Sequence, residues 1–430
     1  MGWWFKIKLW QRVLAALVLG LVFGLLMASV MGQAEAAAWL DSWVRPVGAL
    51  FIRLIRMLIV PLILFTLVSG IMAMGDPKRL GSLGIKTLAL YLGTTFFANV
   101  IGLVVGTVIR PGVGADLGQA EPAPVPEGQS FWDAIFQVLG SFMEIPPENV
   151  VAALADGDVL AIIFVAILIG AAILATKAEG EAFGNFFEAG SAVFLKVTHW
   201  VMEVAPFGVF ALVSHTVTTQ GLESLQAIAL LIGAVYIGLF IHMVVTYGIL
   251  IRVVLNLPLV RFFRGILDAQ AVAYSTASSS ATLPVTITNA TDNLGIKKPV
   301  AGSVLPLGAT INMDGTALYL GILALFTAQA FGYDLNLAHY VLIAVTAALV
   351  SIGAAGIPSA SLFLLATVLT TFGVTPEHTA IIVGFILPVD RIMDMARTVV
   401  NVTGDAAVAT AVAKWEGELD EKRFRDPAVI

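Results

Sequence analysis

One stretch of this chain carries a conflict that few folds can resolve. Between Pro388 and Asp405 it sets Asp390, Asp394, Arg397, Thr398, Asn401 and Asp405 in otherwise apolar sequence. The gaps are four, three, one, three and four residues, so on an α-helix all six share one face. The flanks, TAIIVGFILPV and AAVATAVA, read as membrane-embedded helix. A charged side chain at the bilayer centre costs roughly 2.5–3.5 kcal/mol on insertion scales, and such residues usually serve a substrate or ion pathway. The stripe therefore needs a protein cover, and it points to a charged passenger.

Composition agrees with the membrane setting. Apolar residues make up 59% of the chain and charged residues 12%, against about 25% charged in a soluble domain. The net charge of −6 says little, because orientation follows the placement of Lys and Arg. With no cysteine, disulfides, thiolate metal sites and Cys nucleophiles are excluded. The five histidines read as standing outside every polar constellation, so neither a Ser-His-Asp triad nor a His-rich metal centre is supported. No enzyme is expected, and nothing marks a nucleic-acid partner. The N-terminal run up to Val30 is about 18 apolar residues or longer, which suits a retained first span better than a signal peptide.

Apolar segments predict spans near 13–31, 47–73, 85–109, 190–217, 223–255 and 299–329, with an irregular region near 130–175. Lys78, Arg79 and Lys86 mark one turn as cytoplasmic, and the acidic loop after Arg110 lies outside. Arg252, Arg261 and Arg264 return the chain to the cytoplasm, where Lys297 and Lys298 should also lie. About thirty residues separate Arg264 from Lys297. Two crossings need about forty residues, and one crossing puts the lysines outside. A re-entrant hairpin with its tip at Ser275–Pro284 resolves this, since irregular backbone is tolerated where protein buries it or it lines a cavity. From Pro299 to Asp390 there is no Lys or Arg. That stretch holds a span interrupted at Asn312–Thr316, then a second hairpin near 337–372 with a tip at Ser351–Pro358. The order hairpin, broken helix, hairpin, polar helix is the inverted-repeat pattern of secondary transporters. Lys414, Lys422, Arg423 and Arg425 mark a cytoplasmic tail.

Each constellation also has a plainer reading. Ser278-Ser279-Ser280 suits small-residue packing or a linker as well as a carboxylate site at a helix start. Asn312–Thr316 is either a kink, with Asp314 paired elsewhere, or an unwound turn whose carbonyls and carboxylate suit Na+. The glycine-rich second tip serves a flexible gate or close packing. Arg53 and Arg56 read as interfacial residues.

Together these motifs resemble the glutamate transporter family, the dicarboxylate/amino acid:cation symporters. The matching elements are SSSATLPVT (278–286), ATINMDGTALY (309–319), SIGAAGIP (351–358) and DMARTVVNVTGDA (394–406). RLIRMLIVPLI (53–63), YLGTT (91–95) and APFGVFAL (205–212) agree more loosely. The resemblance implies an all-α polytopic membrane protein with eight spans and two re-entrant hairpins, working as an elevator within a homotrimer. Residues 1–80 and 113–220 would form the scaffold. Residues 81–112 and 221–416 would form the moving domain, and 417–430 a cytoplasmic tail; the protein would sit in the cell (inner or plasma) membrane with both termini in the cytoplasm.

The resemblance also implies roles. Arg397 would hold the substrate side-chain carboxylate with Thr316, Asp394 and Thr398 the ammonium, and Asn401 and Ser279 the α-carboxylate; Ser361 lies beside the substrate. One sodium site would use Asp405 with carbonyls of Gly308, Asn312 and Asn401. A second would use carbonyls of Thr310, Ser351, Ile352 and Ala354 near Met313, and a third Tyr91, Thr94, Thr95, Asn312 and Asp314. No covalent cofactor is implied. Asp390 is expected to brace the third sodium site without touching the ion.

Three departures matter. Relatives carry an arginine at the position of Ala277 or of Met395, whereas this chain has Arg391, one turn from 395. We read Arg391 as supplying that charge to Asp394 or to the hairpin tip. Leu320 replaces the glutamate of proton-coupled animal relatives, while Ser361 resembles some proton-coupled bacterial ones. The implied activity is sodium-driven uptake of L-aspartate and/or L-glutamate. Proton coupling, C4-dicarboxylate or neutral amino acid symport, and a gated anion channel are the alternatives.

Overall fold

Lipid offers no water to backbone N–H and C=O groups, so apolar sequence must satisfy them internally, and helices do this. The computed structural model describes residues 7–72, 80–115, 117, 140, 143, 145–220, 223–354 and 360–426. Among these residues the fold is all-helical, its only β feature an isolated bridge between Ile296 and Leu419.

The first part comprises α1 (Leu9–Met31), α2 (Gln33–Trp43), α3 (Arg45–Met72) and α4 (Leu80–Ile109). It continues with α5 (Val150–Asp156), α6 (Val159–Thr176), α7 (Glu181–Met202), α8 (Ala205–Gln220) and α9 (Glu223–His242). Next come α10 (Leu259–Gly265), α11 (Leu267–Thr276), α12 (Ser279–Thr288), α13 (Lys298–Ile311) and α14 (Asp314–Phe331). The last are α15 (Leu337–Ser351), α16 (Ala360–Thr370), α17 (Pro376–Trp415) and α18 (Glu421–Arg425). Seven helical stretches among the described residues are long and apolar enough to cross a membrane, and the protein is multi-pass. The 40-residue α17 also exceeds the bilayer core of about 30 Å, but its charges keep it out of any count by hydropathy.

Two expectations change. The region near 130–175 is not irregular throughout. Gly157 closes α5 in a left-handed conformation, Asp158 caps α6 by accepting from the Ala161 N–H, and α6 is an 18-residue apolar helix. The span near 190–217 is two helices with a break at Glu203–Val204. Pro206 lacks an N–H and would clash with the carbonyl four residues before it, so α7 cannot run on through it. Lys78, Arg79, most of the 110–130 loop and the tip 355–359 lie outside the described residues.

The first hairpin is re-entrant. Arg261, before α11, donates from Nη2 to the Asn293 carbonyl beyond α12, at 3.2 Å, and from Nε to the Asp426 carbonyl at 3.0 Å. Arg423 reaches the Asp292 carbonyl, Lys297 pairs with Glu418, and Lys414 donates to the Leu255 carbonyl. Lys86 pairs with Glu416 at 2.7 Å. Both ends of the hairpin, the start of α4 and the tail thus share one end of the molecule. At the tip, Ala277 turns the chain in a left-handed conformation and the Ser278 hydroxyl oxygen accepts from the Ala281 N–H to start α12.

Helices α1, α3, α6, α7 and α8 pack mainly on one another, while α4, α9, α11 to α14 and α16 gather around α17, and α15 packs on α14, α4 and α16. Glycine sets one close approach. A Cβ at Gly102 would sit 2.5 Å from the Leu318 carbonyl, so its absence lets α4 lie against α14.

Candidate substrate and cation site

The stripe on α17 is covered as the bilayer argument demands. None of its six residues is more than 6% exposed, and Asp390 and Arg397 are wholly buried. Helices α11, α13, α14, α16 and α9 supply the cover.

One half of the stripe centres on Arg397. Its Nη2 donates to Asp394 Oδ1 at 2.8 Å and lies 3.2 Å from Asp390 Oδ1. The guanidinium carbon stands 3.7 Å above the Tyr319 ring centre, and the Tyr319 hydroxyl donates to Asp390 at 2.6 Å. A cation over a ring face gains electrostatically, so Arg397 is held on three sides. Its Nε and Nη1, with Ser279 Oγ and Arg391 Nε and Nη1, are buried without a protein partner among the described residues. Such orphans are rare, and these sit on the two elements that would hold a carboxylate. Arg391 Nη2 donates to the Thr276 carbonyl at 3.0 Å, tying α17 to the first hairpin's tip.

The other half lies around the broken helix. Asn312 and Met313 leave helical geometry between α13 and α14. Asn401 grips this break, accepting from the Gly315 N–H at 2.8 Å and donating to Met313 Sδ at 3.2 Å. Asn312 Nδ2 donates to Asp405 Oδ1 at 2.9 Å. Gly308 lies so close to Asp405 Oδ1 and the Tyr91 hydroxyl that no Cβ fits there. Thr95 donates to Asp314 Oδ1 at 2.6 Å, while Thr94 Oγ1 has the Tyr91 carbonyl, Asn312 Oδ1 and Asp314 Oδ1 within 3.2–3.4 Å. One hydroxyl proton cannot serve three acceptors, so oxygens there face one another.

The structure thus brings together the residues expected around Asp405 and around Asp314. Thr310 is buried at the end of α13, which packs against the turn Ile352–Ala354 beyond Ser351. Thr316 and Ser361 are buried on helices packed against α17 without a hydrogen bond to the stripe among those described. Thr398 donates to the Asp394 carbonyl.

Two expectations fail. Among the described residues Asp390 makes no hydrogen bond or ion pair to the Asp314 set; it pairs with Arg397, seven residues on along the same face of α17, and with Tyr319. The histidines are not all bystanders, since His242 Nε2 lies 3.2 Å from Asp314 Oδ2 with both side chains wholly buried. Sequence reading also missed Tyr319 and Tyr247. The available signal was a lone imidazole in an apolar span and tyrosines whose buried hydroxyls must find partners.

The geometry is that of a membrane protein with a buried, charge-lined site between hairpins and a broken helix. Residues 9–415 match the model of the sodium:dicarboxylate symporter family. The chain is 36% identical over 414 residues to a proton/sodium-glutamate symport protein of Bacillus subtilis (strain 168), covering 96% of this chain and 94% of that one. It is 35% identical to a proton/glutamate-aspartate symporter of Escherichia coli (strain K12), with 97% and 95% covered. A C4-dicarboxylate transport protein of Bacillus subtilis (strain 168) shares 33%, with 96% and 94% covered. The chain belongs to the sodium:dicarboxylate symporter family. It is a transporter and not an enzyme.

Proposed function

We propose that the protein couples the entry of sodium to the uptake of acidic amino acids, L-aspartate and/or L-glutamate. One observation carries this reading: the charges of the site do not balance. Asp314 and Asp405 are buried and, apart from His242, touch no side chain able to carry positive charge among the described residues. A buried carboxylate without such a partner is costly, and a hard cation among oxygen ligands supplies the missing charge.

In this reading Asp405, with carbonyls of Gly308, Asn312 and Asn401, holds one sodium ion. Tyr91, Thr94, Thr95, Asn312 and Asp314 hold another, and Thr310, Ser351, Ile352 and Ala354 a third near Met313. The substrate ammonium takes Asp394 and Thr398, freeing the planar fork of Arg397 for the side-chain carboxylate. Thr316 joins Arg397 at the side-chain carboxylate, Ser279 and Asn401 meet the α-carboxylate, Ser361 lies beside the substrate, and Arg391 holds the first tip in register. Residues 81–112 and 221–416 move as an elevator against 1–80 and 113–220 within a homotrimer. Both termini face the cytoplasm. Sodium and amino acid raise each other's affinity, as linkage demands.

The test is radiolabelled aspartate uptake into proteoliposomes under imposed Na+ or H+ gradients, competed by glutamate, serine and succinate. Sodium-driven accumulation blocked by glutamate is expected. Competition by serine but not by the acids would remove the Arg397 assignment. Purely passive flux would favour an anion channel. A proton-driven version has one observation in its favour, the relatives named for proton coupling. Uptake that follows the H+ gradient and ignores sodium would establish it instead.

A further inference from the structure

Beyond His242 the ninth helix loosens into two π turns, Met243–Tyr247 and Ile249–Val254. On an α-helix, residues five apart point about 140° away from each other. A turn closed by i→i+5 hydrogen bonds holds one more residue and swings position i+5 back toward the direction of position i. His242 and Tyr247 are five apart, and they reach the same atom. His242 Nε2 lies 3.2 Å from Asp314 Oδ2, and the Tyr247 hydroxyl donates to it at 2.7 Å. Their rings pack edge to face, 4.8 Å apart.

A carboxylate only accepts, so Nε2 carries the ring proton. Thr246 Oγ1, 3.0 Å from Nδ1, then donates to the other nitrogen, and both sides of the ring are used. The two donors occupy Oδ2 and leave Oδ1 turned toward Thr94 and Thr95. Thr95 and Thr94 hold Oδ1 from the cluster side, and His242 and Tyr247 hold Oδ2 from behind.

We infer that His242 and Tyr247 are positioning residues of the Asp314 cation site, aimed at one carboxylate oxygen by the π turn between them. The inference rests on the sodium-coupled reading above. Partners that orient a metal ligand typically change affinity 10–100-fold when removed. His242→Leu leaves Oδ2 short of a donor, and Tyr247→Phe does so by removing a single hydroxyl. His242→Gln keeps an amide N–H for Oδ2 and an oxygen for Thr246.

The experiment is sodium titration of detergent-solubilised full-length protein, read by tryptophan fluorescence and by aspartate binding. For His242→Leu and Tyr247→Phe the sodium half-saturation should rise about tenfold or more, and His242→Gln should recover most of the loss. Aspartate affinity at saturating sodium should stay within about twofold of wild type. If wild type binds aspartate without regard to sodium, the coupling reading and this inference fall together. If wild type depends on sodium and neither His242→Leu nor Tyr247→Phe shifts the titration, the positioning role alone is wrong. An equal loss in His242→Gln and His242→Leu would also overturn it. Should His242→Leu fail to fold, Tyr247→Phe carries the same test.

Discussion

The two halves of the polar stripe handle buried charge in opposite ways. Around Arg397, two carboxylates and two guanidinium groups lie on one helix, and Arg397 touches Asp390, Asp394 and the face of Tyr319. Around the broken helix, Asp314 and Asp405 are held by Thr94, Thr95, Tyr247, Asn312 and His242, with no lysine or arginine among the described residues. The first half can stand balanced on its own and, in the proposed reading, exchanges one ion pair for another when a zwitterionic acid enters. The second is short of positive charge. In the proposed reading that difference separates a substrate site from a cation site using charge alone, and Asn401 and Asn312 join the two halves through the helix break.

The largest test of this contrast is Arg397→Ala. It removes the balancing charge and strands Asp390 and Asp394, a loss of about 3–5 kcal/mol for a broken buried pair. Aspartate binding by calorimetry should weaken more than about a hundredfold, while sodium still raises the melting temperature. If sodium stabilisation vanished too, the halves would not be separable. Asp405→Asn attacks the other side. Sodium half-saturation should rise roughly 10–100-fold, with a smaller change in aspartate affinity once sodium is saturating; an unchanged sodium titration would break the charge argument.

Gly404→Ala probes the junction. A Cβ there would meet the Tyr247 hydroxyl at 2.5 Å and Asn312 Nδ2 at 2.7 Å, so overpacking should cost about 1–3 kcal/mol and lower the melting temperature. A wild-type melting curve would mean that α17 does not pack this tightly. The smallest effect is expected from Arg391→Ala. It releases the Thr276 carbonyl, and aspartate affinity or turnover should fall a few-fold, about 1 kcal/mol. If both stayed at wild-type values, Arg391 would not brace the hairpin.

Much of the fold was legible because bilayer physics is restrictive. The spacing of Arg264 and Lys297 predicted a hairpin, and the backbone places both of its ends beside the same tail. Asn312–Thr316 predicted a helix break, which falls at Asn312 and Met313. The sequence was less informative where local signals compete. Apolar residues 159–176 read as irregular because their caps, Asp158 and Gly157, sit inside a longer apolar stretch. The break before Pro206 was visible as a proline, yet hydropathy ran straight across it.

The sequence by itself determined that six polar residues share one helix face, that this face must be covered, and that the chain crosses the membrane with re-entrant segments. Periodicity and the cost of burying charge in lipid are properties of the chain, so they need no coordinates. Only the tertiary structure decided which carboxylates are balanced and which are not. Asp390 was expected beside the cation set and instead pairs with Arg397; His242 was expected nowhere and lies on Asp314. The His242–Asp314 pair joins residues 72 positions apart through helix packing, and even the Asp390–Arg397 pair, seven residues apart on one helix, is completed by Tyr319 from another helix, 71 positions from Asp390.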